Sequence, residues 1–129
     1  MRGFLICKSF FVLIAYLSGN AWSIEARCTA EYGGKTTTLT VMPVNDPYIF
    51  VTDDALAPFR VSAQFLGERG KLKMYAYHDA KNRFVLIHAA EYQFNEANCT
   101  QFVQGFGLNK IYSAKMEKEL VFQCVAVCR

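Results

Sequence analysis

Between Phe59 and Phe94, three runs rich in β-branched, aromatic and aliphatic residues (FRVSAQFL, KLKMYAYH and RFVLIHAAEYQF) are separated by the short polar breaks GERG and DAKN. Such a pattern predicts three antiparallel strands joined by hairpins, because charged and Gly- or Asn-containing breaks turn the chain while the runs between them favour the pleat. GERG then links Leu66 to Lys71, and DAKN forms a four-residue loop over Asp79 to Asn82. With His78 opposite Arg83, the register sets Tyr77 by Phe84, Tyr75 by Leu86, Lys73 by His88, Ala76 by Val85 and Met74 by Ile87.

That register gives the meander two unlike faces. Leu72, Met74, Ala76, Val85, Ile87 and Ala89 form a small aliphatic face, the expected core. Lys73, Tyr75, Tyr77, Phe84, Leu86 and His88 form an amphipathic, aromatic one. Either a second layer or the loop at residues 43–58 covers it, or it is a binding surface of the composition that protein interfaces favour. The expected binding residues are therefore Lys73, Tyr75, Tyr77 and His88 on this face, with Asp53 and Asp54 in the loop.

The rest of the chain adds strands around the meander. Arg27 to Tyr32 and Lys35 to Met42 flank Gly33-Gly34, a two-residue hairpin signal, since both glycines accept the positive φ of the turn. Thr37, Leu39 and Val41 form the inward set of the second run. Pro43 to Pro58 is the least regular passage, with one short edge strand expected at Tyr48 to Val51. Asp46, Asp53 and Asp54 lie in it, but their spacing does not fit a calcium loop and turn formation accounts for them, so no metal or cofactor is expected. Phe102 to Phe106 reads as a short strand or a tight packed turn, Leu108 to Ser113 as another strand, and Ala114 to Lys118 as a turn. Leu120 to Cys128 is apolar on both alternating sets, the mark of a central strand covered on both faces. The fold class is all-β: a small antiparallel sandwich or barrel of about seven to eight strands.

The first 23 residues carry Arg2 and Lys8, an apolar run from Phe10 to Leu17, and the small-residue ending Ala21-Trp22-Ser23. This is the form of a cleaved secretory signal, and the apolar run is too short to span a bilayer. The mature chain, Ile24 to Arg129, is then a single secreted or periplasmic domain with no membrane span. It keeps Cys28, Cys99, Cys124 and Cys128, which in an exported chain of this size predict two disulfides. Cys124 and Cys128 are roughly 13 Å apart along a strand, beyond disulfide reach. Two pairings remain: Cys28 with Cys128 and Cys99 with Cys124, or Cys28 with Cys124 and Cys99 with Cys128.

Chemistry is harder to find. The mature chain has 12 Lys and Arg against 11 Asp and Glu, a net +1 divided as −3 over residues 24–68 and +4 over 69–129. That makes nucleic acid a poor partner and leaves a protein or an anionic surface. There is no G-x-S-x-G elbow, phosphate loop or H-E-x-x-H, the cysteines are expected to be oxidised, and His78 and His88 do not converge. The expectation is a non-catalytic binding or inhibitor-like module. The alternatives are a small-ligand carrier with a cavity between its sheets and a small hydrolase.

Overall fold

Positive φ angles at Gly33 (60°) and Gly34 (78°) turn the chain back on itself between β1 (Ile24–Tyr32) and β2 (Lys35–Val41), which pair antiparallel as the Gly-Gly signal predicts. The computed structural model describes residues 24–94, 103–113 and 117–128. Its remaining strands are β3 (Pro43–Val44), β4 (Val51–Asp53), β5 (Phe59–Leu66), β6 (Lys71–Ala80), β7 (Arg83–Gln93), β8 (Val103–Tyr112) and β9 (Glu119–Cys128). The described residues contain no helix. The expected leader and Cys99 lie outside them.

The strands form two sheets. The first has the order β2-β1-β9-β8 and is antiparallel throughout. In the second, the meander β5-β6-β7 is extended beyond β5 by the two short strands β3 and β4. β4 pairs with β5 antiparallel, but β3 runs parallel to it at Phe65 and Leu66, so the fold is not wholly antiparallel. The edge strand expected at Tyr48 to Val51 is displaced to Val51–Asp53, because Asp46 to Ile49 is occupied by a turn closed by Ile49 N–H donating to Asp46 O. Where a short strand or tight turn followed by another strand was expected, β8 is one strand with an irregularity between Gly105 and Leu108, at which Gly107 takes φ 93°.

The core lies between the sheets. Ala26, Cys28, Ala30, Leu39 and Val41 meet Leu120, Phe122, Cys124 and Ala126 on the first sheet, and Phe59, Val61, Ala63, Leu72, Met74 and Ala76 supply the second. β9 lies inside its sheet as expected, yet only one of its faces is buried: Val121, Val125 and Val127 are half-buried and Gln123 is exposed. Burial of this apolar set, at roughly 25 cal/mol per Å² removed from water, is the main force holding the two layers together. Cys28 and Cys124 sit directly opposite each other in the β1–β9 register with α-carbons 4.0 Å apart, and they are bonded. This bridge belongs to the second of the two expected pairings; the other bridge would need Cys99.

The meander departs from its expected register in two places. Its second turn is Lys81-Asn82 alone, at φ 51° and 68°, so that Ala80 rather than His78 faces Arg83. Asn is one of the few non-glycine residues that tolerates this conformation, which lets the tight turn form without glycine. Further along, a bulge between Ala76 and Tyr77 shifts the alignment by one more residue. Because side chains alternate with period two, that single step reverses the faces of β7 beyond the bulge, from His88 to Gln93. Ala90 and Tyr92 therefore pack on the core and Ala89, expected inside, is exposed; ahead of the reversed stretch Ile87 packs on the core as expected, while Val85, opposite His78, is exposed.

Candidate functional site

On β5, alternation sends Phe59, Val61, Ala63 and Phe65 into the core, and Arg60, Ser62 and Gln64 to the other side of the second sheet. The β5–β6 register brings those three opposite Tyr77, Tyr75 and Lys73. This outer face is therefore the one predicted to be amphipathic, enlarged by a row from β5.

Half of it is covered. Gln64 is only 1% exposed although it points away from the core. Its Nε2 donates to the carbonyls of Asp46 (3.3 Å) and Ile49 (2.9 Å), strapping the loop across β5. Asp46 accepts from Tyr48 N–H, a side-chain turn that keeps the loop folded back. Phe50, at the end of this strap, meets Tyr75 edge to face with ring centroids 5.8 Å apart.

Beyond the strap the sheet is open. Phe50, Thr52, Arg60, Ser62, Tyr77 and Phe84 line a groove of about 510 Å³, a size typical of ligand sites. The Thr52 and Ser62 hydroxyls lie 3.0 Å apart in hydrogen bond on its floor. Arg60 donates from Nε to Asp54 Oδ1 (2.5 Å) and from Nη2 to Oδ2 (2.8 Å), and its guanidinium carbon lies 3.7 Å from the centroid of the Phe84 ring. The hydrogen bonds from Arg60 hold the Asp54 carboxyl below the usual carboxylate range, against the opposing effect of burial and with a further contribution from the Arg60 charge. Leu86, opposite Tyr77 in the β6–β7 register, and Ile49, next to Phe50 in the chain, are each 50% exposed.

The expected site residues divide between this groove and other places. Tyr77 lines it, Tyr75 supports its Phe50 wall, and Asp54 holds its arginine. Lys73 is on the same face but one row away, facing Glu91 rather than His88. There Lys71 bonds Glu91 at 3.0 Å, and this hydrogen bond, with the charge behind it, lowers the Glu91 carboxyl below its ordinary value. Asp53 is committed to structure: Oδ2 accepts from Thr37 Oγ1 (2.9 Å) and Oδ1 from Ala55 N–H (2.6 Å), tying β4 to β2. His88 lies on the opposite side of the sheet, facing Ala76 across the strand pair, with a buried Nε2 that has no hydrogen-bond partner. The bulge put it there.

Arg60, Phe50, Thr52 and Ser62 were not among the expected site residues. The signal for two of them was available: extending the GERG hairpin from Leu66 and Lys71 pairs Arg60 with Tyr77 and Ser62 with Tyr75. Phe50 and Thr52 depend on how the irregular loop folds, which no periodicity encodes.

No family model, curated protein or solved structure matches this chain. The site therefore has to be read from its own chemistry. Among the described residues, no helix is long and apolar enough to cross a membrane, and no three or more His, Cys, Asp or Glu side chains are grouped to hold a metal ion.

Proposed function

We propose that the chain is a non-catalytic, exported binding protein that captures a protein partner on the outer face of its second sheet. The observation that carries this reading is the groove between Phe50 and Phe84, an aromatic and arginine-containing hollow with half-exposed Leu86 opposite its Tyr77 and half-exposed Ile49 next in the chain to its Phe50. Tyr, Phe and Arg around a concave centre, with apolar surface at the margin, is the make-up of an interface hot spot. A purely anionic partner is less well supported, because Arg60 and Lys71 already hold Asp54 and Glu91. The same groove offers little to a hydrolase, as no His, Cys or carboxylate is among its lining side chains. A carrier with its ligand between the sheets is disfavoured by Phe59, Val61, Leu72, Met74, Leu120 and Phe122, which fill that space and are all at most 1% exposed.

Export would also complete the cross-linking. With Cys28 and Cys124 bonded to each other, Cys128, itself fully buried and in disulfide form, is left with Cys99 as its partner. Mass spectrometry of the unreduced, protease-digested protein should find a Cys99–Cys128 peptide.

The binding reading is tested by affinity capture from the source's exported fraction, using the native mature chain, a Phe84→Ala bait and a Gln123→Ala bait altered on the outer face of the first sheet. A partner held by the native and Gln123→Ala baits but lost with Phe84→Ala supports it. Equal capture by all three, or loss only with Gln123→Ala, moves the site elsewhere.

A further inference from the structure

We infer that the groove is built to receive a tyrosine side chain of the partner protein, an assignment that rests on the binding reading above. Each hydroxyl has one donor and two acceptor positions. The Thr52–Ser62 bond uses one donor and one acceptor of the pair. One donor and three acceptors are left on these two groove-lining residues, which suits a visitor whose polar tip both gives and takes a hydrogen bond. The walls ask for something different. Phe50, Tyr77 and Phe84 present rings, and rings pack best against another ring, edge-on or offset. A group that is aromatic along its body and hydroxylic at its tip meets both demands.

Charge narrows the choice. Among the described residues that line the groove Arg60 is the one cationic side chain, and its bidentate bond to Asp54 balances it locally. A carboxylate or phosphorylated side chain would have to compete with Asp54 for that guanidinium, whereas a neutral phenol need not. Phenylalanine would fill the walls but cover the floor hydroxyls without satisfying them, a cost that a tyrosine avoids. The rim points to a protein as the source of the phenol. Leu86 pairs with Tyr77 beside the groove, Ile49 adjoins Phe50, and each is half exposed. A free phenol or a neutral sugar chain seated in the groove would leave that apolar margin in water, while a protein surface around a central tyrosine would cover it.

The experiment is an NMR titration of isotope-labelled, disulfide-intact mature chain with N-acetyl-tyrosine amide, N-acetyl-phenylalanine amide, N-acetyl-phosphotyrosine amide and maltohexaose. The expected result is a saturable, millimolar response at Thr52, Ser62, Tyr77 and Phe84 with the tyrosine probe, about fivefold tighter than with the phenylalanine probe, the gain of roughly one net hydrogen bond. In a Thr52→Val, Ser62→Ala variant with native-like spectral dispersion, that preference should disappear while ring binding persists. Equal affinity for tyrosine and phenylalanine probes in the native protein overturns the assignment. So does tighter binding of phosphotyrosine, a response to maltohexaose in place of the tyrosine probe, or no saturable response to that probe. Partner capture that depends on Phe84 alongside a failed tyrosine titration would remove this inference and leave the binding reading standing. Capture independent of Phe84 would remove the binding reading itself.

Discussion

The guanidinium of Arg60 lies over the ring of Phe84 at 3.7 Å, joining β5 to β7 across β6 on the outer face of the second sheet. The two residues are not in register with each other; Arg60 pairs with Tyr77, and Phe84 with Asp79. Their contact is diagonal and depends on a long, planar cation held in place by Asp54 from the other side. Lysine carries the same charge but neither the fork nor the plane. Arg60→Lys should therefore change the melting temperature little, since the pair is solvent-exposed, while weakening partner capture severalfold. A large fall in melting temperature would assign Arg60 to stability instead.

The Asp54–Arg60 pair also sets an acid limit. The folded-state value of the Asp54 carboxyl is depressed below 3.8. A depressed carboxylate contributes above its unfolded value, and that contribution is lost as pH falls through the lower folded value. The Arg60 side-chain resonances should accordingly hold constant from neutral pH down to the ordinary aspartate range and change only in stronger acid. In Asp54→Asn the transition should be absent. A midpoint at or above the ordinary aspartate value would mean the pair does not persist in solution.

Gly70 closes the β5–β6 connection at φ 58°, and a β-carbon there would sit 2.1 Å from the carbonyl oxygen of Phe94. The backbone cannot yield cheaply, because Phe94 N–H donates to Gly70 O at 2.6 Å. Gly70→Ala combines a disfavoured φ with a clash, so urea denaturation should show a loss of at least about 2 kcal/mol. Gly33→Ala is the control: it shares the positive φ, but nothing lies within 4 Å of its added carbon, so its cost should be about 1 kcal/mol.

How far the sequence could be read depended on whether a local signal fixed the local geometry. Gly33-Gly34 fixed a hairpin, and the alternation after it placed Leu39 and Val41 inside correctly. Two features of the β6–β7 hairpin escaped. Lys81-Asn82 turns the chain without glycine, so the break looked four residues long, and the bulge beside Tyr77 has no residue that announces it. The turn moved the register by two residues, which keeps the faces, and the bulge moved it by one more, which sent His88 to the core side and Ala89 to the surface. Tyr75 and Tyr77 kept their predicted face because β6 is regular and its partner β5 is fixed by the GERG turn. The groove needed one thing more, the Gln64 strap that sets Phe50 over the sheet, and this is a tertiary contact between residues 15 apart in the chain.

The Cys28–Cys124 bridge joins strands separated by 96 residues. Loop closure over such a span restricts the unfolded chain strongly, and both sulfurs are buried in the core. Cys28→Ala with Cys124→Ala should cost about 2–5 kcal/mol, measured by denaturant titration against the native protein with all other cysteines intact. A loss below about 1 kcal/mol would mean that β1–β9 pairing and the packed sheets already supply what the bridge was thought to add.

His88 supplies the last test. Its Nε2 is buried without a partner beneath the β7 bulge, and a buried polar atom left unpaired costs about 1–3 kcal/mol relative to an apolar group of similar shape. Leucine at that position keeps most of the packing and removes the orphaned nitrogen. His88→Leu should therefore raise the denaturation midpoint or leave it unchanged, whereas His88→Ala, which opens a cavity against Ala76, should lower it. Because His88 is on the far side of the sheet from the groove, neither change should affect partner capture at temperatures where the variant is folded. If His88→Leu abolishes capture while remaining folded, the site extends through the sheet to its inner side, and the unpaired nitrogen is kept for function.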